Sequence, residues 1–170
     1  MSVSLVLGGA RCGKSRRAEQ ITRGFGGDRI YLATSEPFDD EMRDRVARHR
    51  ADRDADGWIT VEEPLALAET LAAQAKPGRA VLVECLTTWL GNLMHHERDV
   101  PAACTDLVAG LETVSGHVIL VGTEVGLGIV PENALARRFR DHAGRLHQDI
   151  AAIADRVELV VAGLPLVVKE

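Results

Sequence analysis

The sequence is poor in several things at once, and each scarcity removes a class of protein. Three cysteines, Cys12, Cys85 and Cys104, occur in 170 residues. Their odd number and wide spacing speak against a disulfide framework and fit a reducing compartment, so a cytoplasmic location is expected. The most apolar stretch, residues 157–168, is too short to cross a bilayer and carries Glu158, and nothing before the first apolar run reads as a signal peptide. No membrane span and no secretion are expected. Positive charge is not in excess: 20 Lys and Arg stand against 25 Asp and Glu, a formal net charge of -5. That excludes a general nucleic-acid binder, which needs a basic face to neutralise phosphates. Repeats, low-complexity tracts and proline-rich linkers are also missing, and the length suits one core, so residues 1–170 are read as a single domain. Lysine itself is scarce, limited to Lys14, Lys76 and Lys169.

What is present is an alternation of short apolar runs with longer segments of helical period. Strands are expected over residues 3–7, 29–33, 59–61, 80–84, 118–122 and 157–162, several apolar throughout, as strands covered on both faces should be. Helices are expected over 14–23, 41–53, 65–74, 87–96, 102–114 and 133–154. Such alternation predicts an α/β fold with a mostly parallel central sheet flanked by helices.

Directly after the first strand comes Gly8-Gly9-Ala10-Arg11-Cys12-Gly13-Lys14-Ser15, with a helical segment behind it. The Gly-x4-Gly-Lys-Ser spacing in that strand-to-helix context is a phosphate-binding loop. Glycines let the backbone curl so that N–H groups converge on phosphate oxygens, the helix N-terminus adds a favourable dipole, Lys14 reaches the outer phosphates, and Ser15 is placed to ligate Mg²⁺. The alternative is an ordinary glycine-rich turn. A second metal-associated carboxylate belongs at the end of another apolar strand, where Val81-Leu82-Val83 is followed by Glu84; a helix-capping role is the alternative there. A P-loop NTPase of RecA-like arrangement is expected.

The loop alone does not choose among a switch GTPase, a motor, a kinase and a nucleotidyl transferase. No lysine follows an asparagine, so the Asn-Lys-x-Asp guanine signature is absent, as is the Leu-Ser-Gly-Gly-Gln transporter motif. Over residues 39–53, Met42, Val46, His49 and Arg53 share one helical stripe. Imidazole is largely neutral near pH 7 and is therefore available as a nucleophile toward phosphorus. Periodicity leaves open whether His49 does that or only packs against the domain.

Five segments taken in order are more specific: the loop itself, Arg45-Val-Ala-Arg-His-Arg50, Val83-Glu-Cys-Leu-Thr-Thr88, Glu124-Val-Gly-Leu-Gly-Ile-Val-Pro131 and Phe139-Arg-Asp-His-Ala-Gly144. Together they resemble the bifunctional adenosylcobinamide kinase / adenosylcobinamide-phosphate guanylyltransferase family of cobalamin biosynthesis, over nearly the whole chain. The resemblance implies two reactions: phosphorylation of adenosylcobinamide by a nucleoside triphosphate, ATP or GTP, then transfer of GMP from GTP onto adenosylcobinamide phosphate. It also implies that His49 carries GMP covalently, and that Lys14 serves in catalysis with the rest of the loop. Ala33, Thr34 and Ser35, and Arg50, Ala51, Asp52 and Arg53, are implied to contact nucleotide. Glu62 and Glu84 are implied as carboxylates of the GTP site, Glu62 being able to accept from the N1–H and exocyclic amine of guanine. A homotrimer is implied as well. Four positions depart from the family's usual pattern, Cys12, Asp54, Thr123 and His147, and none of them removes an implied catalytic group. Two rivals stay open at this point: a single-activity small-molecule kinase with a structural His49, and a non-catalytic nucleotide-dependent binding protein.

Overall fold

The structure, a computed structural model, describes residues 2–36 and 55–170. The helix expected over 41–53, and with it His49, lies outside the described residues. The described elements are β1 (Ser2–Gly8), α1 (Lys14–Arg23), β2 (Asp28–Ala33), β3 (Trp58–Glu62), α2 (Leu67–Gln74), β4 (Arg79–Glu84), α3 (Leu86–His95), α4 (Val100–Leu111), β5 (His117–Thr123), α5 (Ala134–Ile153), β6 (Arg156–Val161) and β7 (Leu164–Lys169). The strands form one sheet in the order β3-β2-β4-β5-β1-β6-β7. All neighbours run parallel except β7, which returns antiparallel to β6.

Continuous apolar strands follow from this architecture, because each central strand is covered twice. Successive residues point to opposite faces of a strand. Leu5, Val81, Val83, Val118 and Leu120 therefore pack on one side with Leu90, Leu107, Leu146 and Ile150. Val6, Leu82, Ile119 and Val121 pack on the other with Ala18 of α1. Burying a strand on both faces removes the polar alternation that an exposed sheet would show.

Helix starts follow local capping chemistry. Asn133 accepts from the N–H groups of Leu135 and Ala136 at 2.8 and 3.1 Å, fixing the start of α5. For α4 the expected start at residue 102 is too late. Asp99 caps the helix by accepting from Ala102 N–H at 3.0 Å, and Pro101 occupies the first turn, where its missing N–H costs nothing.

β7 was not among the expected strands. The apolar stretch after residue 157 folds into a hairpin because Ala162 and Gly163 both take positive φ, 51 and 80, the backbone signature of the tight turn that suits two twisted strands. Pro165 is accommodated on this edge strand, opposite Val160.

Within β6, Glu158 is buried at 1% exposure. Its carboxylate accepts two bonds from Arg17 of α1, Nε at 2.7 Å and Nη2 at 2.8 Å, and one from Arg156 Nε at 2.8 Å. The Arg17 hydrogen bond, aided by Arg156 and opposed by burial, holds Glu158 below the ordinary carboxylate range. α1, which begins with the loop lysine, is thereby fastened to β6. A depressed carboxylate contributes stability above its unfolded pKa and loses it as pH falls through the folded value. Glu158→Gln is expected to cost about 2 kcal/mol of stability at pH 7. In denaturant titrations the gap from wild type should shrink as pH drops below 4, and a gap independent of pH would contradict this.

Candidate functional site

β1 ends at Gly8, where nothing larger fits: a Cβ there would lie 2.6 Å from the carbonyl oxygen of Val160 on β6. The chain then curls through Arg11 at φ 56 and Gly13 at φ 99. A side chain on Gly13 would be both strained and 3.2 Å from Gly163 Cα. The curled loop rests on the tip of the β6–β7 hairpin, where Gly163 N–H donates to Cys12 carbonyl at 2.8 Å. On the other flank Glu124 N–H donates to Gly8 carbonyl at 3.0 Å. The carbonyls of Gly8 and Cys12 are thus taken up by backbone outside the loop, which suits a loop whose N–H groups are to serve an anion.

Lys14 is buried at 9% exposure, and its Nζ donates to Gly9 carbonyl at 3.2 Å, so the ammonium is kept against the loop rather than in solvent. Ser15 Oγ donates to Glu84 Oε1 at 2.8 Å. This bond joins the first turn of α1 to the end of β4, across the intervening β5.

Glu84 is itself held from behind. Thr34, fully buried at 0% exposure, accepts from Cys85 N–H through its hydroxyl at 2.8 Å. The same hydroxyl lies 2.9 Å from the Cys85 carbonyl, to which it can donate, and Thr34 N–H donates to Glu84 carbonyl at 3.0 Å. Asn92 of α3, also buried, donates from Nδ2 to the carbonyls of Thr34 and Pro64, at 2.6 and 3.0 Å. One amide therefore ties the ends of β2 and β3 to the helix that follows Glu84.

Of the residues singled out in the sequence, Gly8, Gly9, Ala10, Arg11, Cys12, Gly13, Lys14 and Ser15 form one curled loop, and Glu84 meets it through Ser15. Ala33 aligns in register with both Glu84 and Glu62. Ala33, Glu62 and Glu84 thus mark one row at the carboxyl edge of β2, β3 and β4, with Thr34 and Ser35 just beyond it. Ala33 is buried and Thr34 turns inward; Ser35 is half-buried and Glu62 exposed. Arg50, Ala51, Asp52 and Arg53 lie, with His49, outside the described residues. Ser15 and Glu84 make an all-oxygen pair 2.8 Å apart. That is the donor chemistry of Mg²⁺, which keeps several waters and takes the rest of its shell from phosphates.

Three contributors escaped the sequence reasoning. Glu124 and Gly163 act through backbone N–H groups, and Asn92 looks like any polar residue in a helix. Only the Ala162-Gly163 pair between apolar runs carried a usable turn signal. His147, a departure from the family's usual pattern, is buried at 7% exposure with no hydrogen-bond partner for Nε2, and it fills the space above Gly122. Burial lowers its pKa, against an opposing pull from Glu124. Trp58 is a core residue at 4% exposure.

A curled Gly-rich loop between strand and helix, a lysine and serine opening that helix, and a carboxylate at a second strand end define a P-loop nucleotide-binding protein. The P4 protein from bacteriophage phi6 in complex with ADP superposes with a TM-score of 0.54 at 13% identity, over 97% of this chain and 54% of that one. The chain thus spans about half the length of that structure. The particular family is given by sequence: the model of the cobinamide kinase / cobinamide phosphate guanyltransferase family matches residues 4–168. Relatives include the bifunctional adenosylcobalamin biosynthesis protein CobP of Pseudomonas aeruginosa, 47% identical over 97% of this chain and 96% of that one. The bifunctional adenosylcobalamin biosynthesis protein CobU of Escherichia coli K12 is 42% identical over 97% and 98%. The chain belongs to this family.

Thr34→Val keeps the volume but removes the acceptor for Cys85 N–H. It is expected to cost about 1–3 kcal/mol in stability and to raise the Mg²⁺ concentration needed for half-maximal GTP binding, by loosening Glu84. Calorimetric Mg²⁺ titration with GTP present checks this; an unchanged midpoint would show that Thr34 does not set the position of Glu84.

Proposed function

We propose that this protein phosphorylates the aminopropanol hydroxyl of adenosylcobinamide with a nucleoside triphosphate, then transfers GMP from GTP to the resulting phosphate, giving adenosylcobinamide-GDP. The observation that carries the nucleotide part is the Ser15–Glu84 hydrogen bond of 2.8 Å beside the loop lysine, which sets a hydroxyl and a carboxylate where a triphosphate's metal is needed. The family match supplies the substrate class.

In the kinase step no covalent residue is required, since positioning and charge stabilisation account for most phosphoryl transfer. The loop N–H groups and Lys14 hold the outer phosphates while the substrate hydroxyl oxygen attacks the γ-phosphorus and the nucleoside diphosphate departs. Mg²⁺ held by Ser15 and, directly or through water, by Glu84 supplies further neutralisation of phosphate charge when bound. In the guanylyl step an imidazole nitrogen of His49 attacks the α-phosphorus of GTP. The α–β P–O bond breaks, and Lys14 and the loop stabilise the leaving pyrophosphate. An oxygen of the cobinamide phosphate then attacks the same phosphorus and breaks the P–N bond, freeing His49. Glu62 reads guanine by accepting from its N1–H and amine, and Ala33, Thr34, Ser35 and residues 50–53 line the nucleotide. Thr34 acts chiefly through its fixed backbone. The protein works in the cytoplasm as a homotrimer.

Incubation with Mg²⁺ and GTP labelled at the α-phosphate is expected to leave acid-labile, alkali-stable label on the protein, absent with γ-label and absent in His49→Ala. Phosphorylation of cobinamide without any α-label would instead indicate a single-activity kinase.

A further inference from the structure

We propose that the groove between α3 and the start of α5, with the apolar loop over residues 125–131 as its rim, is where the corrinoid ring docks. The inference rests on the function proposed above and places its second substrate. α3 does not lead away from the phosphate site. It starts at Cys85 beside Glu84, Asn92 in its second turn still bonds the carbonyls of Thr34 and Pro64, and His96 pairs with Glu36 at 2.9 Å just after β2. The helix therefore stays at the carboxyl edge of the sheet, where ligands of open α/β sheets bind.

Along it runs a cavity of about 370 Å³ bounded by Thr88, Gly91, Asn92 and His95. This shares Gly91 and His95 with a second, of about 520 Å³, lined also by Met94, Asn133, Leu135, Ala136 and Phe139. The groove begins one turn of helix from Cys85 and is mostly apolar away from its histidine. Its floor is left open by Gly91, whose missing Cβ would meet nothing within 4 Å.

The loop over residues 125–131 is tied at both ends, by Glu124 N–H on Gly8 carbonyl and by the cap of α5 at Asn133, which itself lines the groove. Between those anchors Leu127, Ile129 and Val130 are exposed at 87, 97 and 59%. Three large apolar side chains held in solvent, on a loop that starts at the Gly8 carbonyl, do not serve folding; clusters of this kind mark binding surfaces. The charged phosphates of a nucleotide have no use for them. A corrinoid does: a flat macrocycle with apolar faces, fringed by amides, that must bring a short hydroxyl-bearing arm to the γ-phosphate. With the ring in the groove, that arm is directed along Thr88 toward the Ser15–Glu84 pair.

Two variants probe the groove without touching the core. Gly91→Leu fills it; Gly91 is a helical residue with ordinary φ and open space around it, so helix propensity should rise. Ile129→Ser alters a side chain already in solvent. With cobinamide as the probe, each is expected to raise the KM for cobinamide in the kinase step at least tenfold. Covalent GMP labelling, the KM for GTP and the mass by light scattering should stay at wild-type values. Wild-type KM for cobinamide in both variants overturns the assignment. So does a change in oligomeric mass with that KM unchanged, which would make the surface a contact between copies. Failure of the wild-type protein to phosphorylate cobinamide would overturn the proposed function and this placement with it, whereas normal wild-type turnover with unaffected variants overturns the placement alone.

Discussion

A loop whose N–H groups must converge on an anion cannot be held by a helix or ladder of its own, because those groups are the ones that secondary structure would consume. It has to be held from outside, through its carbonyls and its flanks. Here the Gly8 carbonyl goes to Glu124, the Cys12 carbonyl to Gly163, Ser15 to Glu84, and Arg17 to Glu158. These supports come from the residue after β5, the β6–β7 turn, β4 and β6, so much of the sheet is engaged in holding one loop. The close approaches at Gly8 and Gly13 follow from the same demand, since backbone must lie against backbone.

The Ser15–Glu84 bond is the support with the most chemical content, and it depends on a strand that does not touch β1. β5 lies between β4 and β1, so the distance from serine to carboxylate is set by the sheet's spacing. A parallel sheet is suited to this, because all its carboxyl ends face one way and the loops that leave them share one edge. Thr34 and Asn92 then remove the remaining freedom by tying β2, β3 and α3 to the peptide after Glu84. A buried polar network of this kind is costly if half-made and rigid when complete. The carboxylate is thus positioned by buried packing behind β4.

The parts of this that the sequence displays are those written in spacing. The phosphate loop is local in the chain, so eight consecutive residues carry it, and α1 begins at Lys14 as expected. Glu84 is visible as a charge that ends an apolar run. The expected strands all occur with ends within a residue of those expected, because strands buried on both faces show as unbroken Val, Leu and Ile. β7 was hidden for the same reason: apolar residues on both sides of Ala162 and Gly163 read as one run, and alanine gives little warning of a positive φ. The supports of the loop were also hidden, since backbone donors such as Glu124 and Gly163 leave no trace in residue type. Thr34 was expected at the nucleotide, yet its hydroxyl faces the Cys85 peptide. His147 showed its departure from pattern but not its reason, which is the space above Gly122.

On the proposed function, one loop serves two chemically distinct transfers. The direct measurement supplies Lys14→Ala first with cobinamide and a γ-phosphoryl donor, and separately with cobinamide phosphate and GTP, following cobinamide phosphate and cobinamide-GDP by mass spectrometry. Loss of both rates by roughly a hundredfold or more, as expected when a charge-stabilising group is removed from a transition state, is the predicted result. Retention of either rate at the wild-type level would contradict it, because that reaction would then run on phosphates held somewhere else.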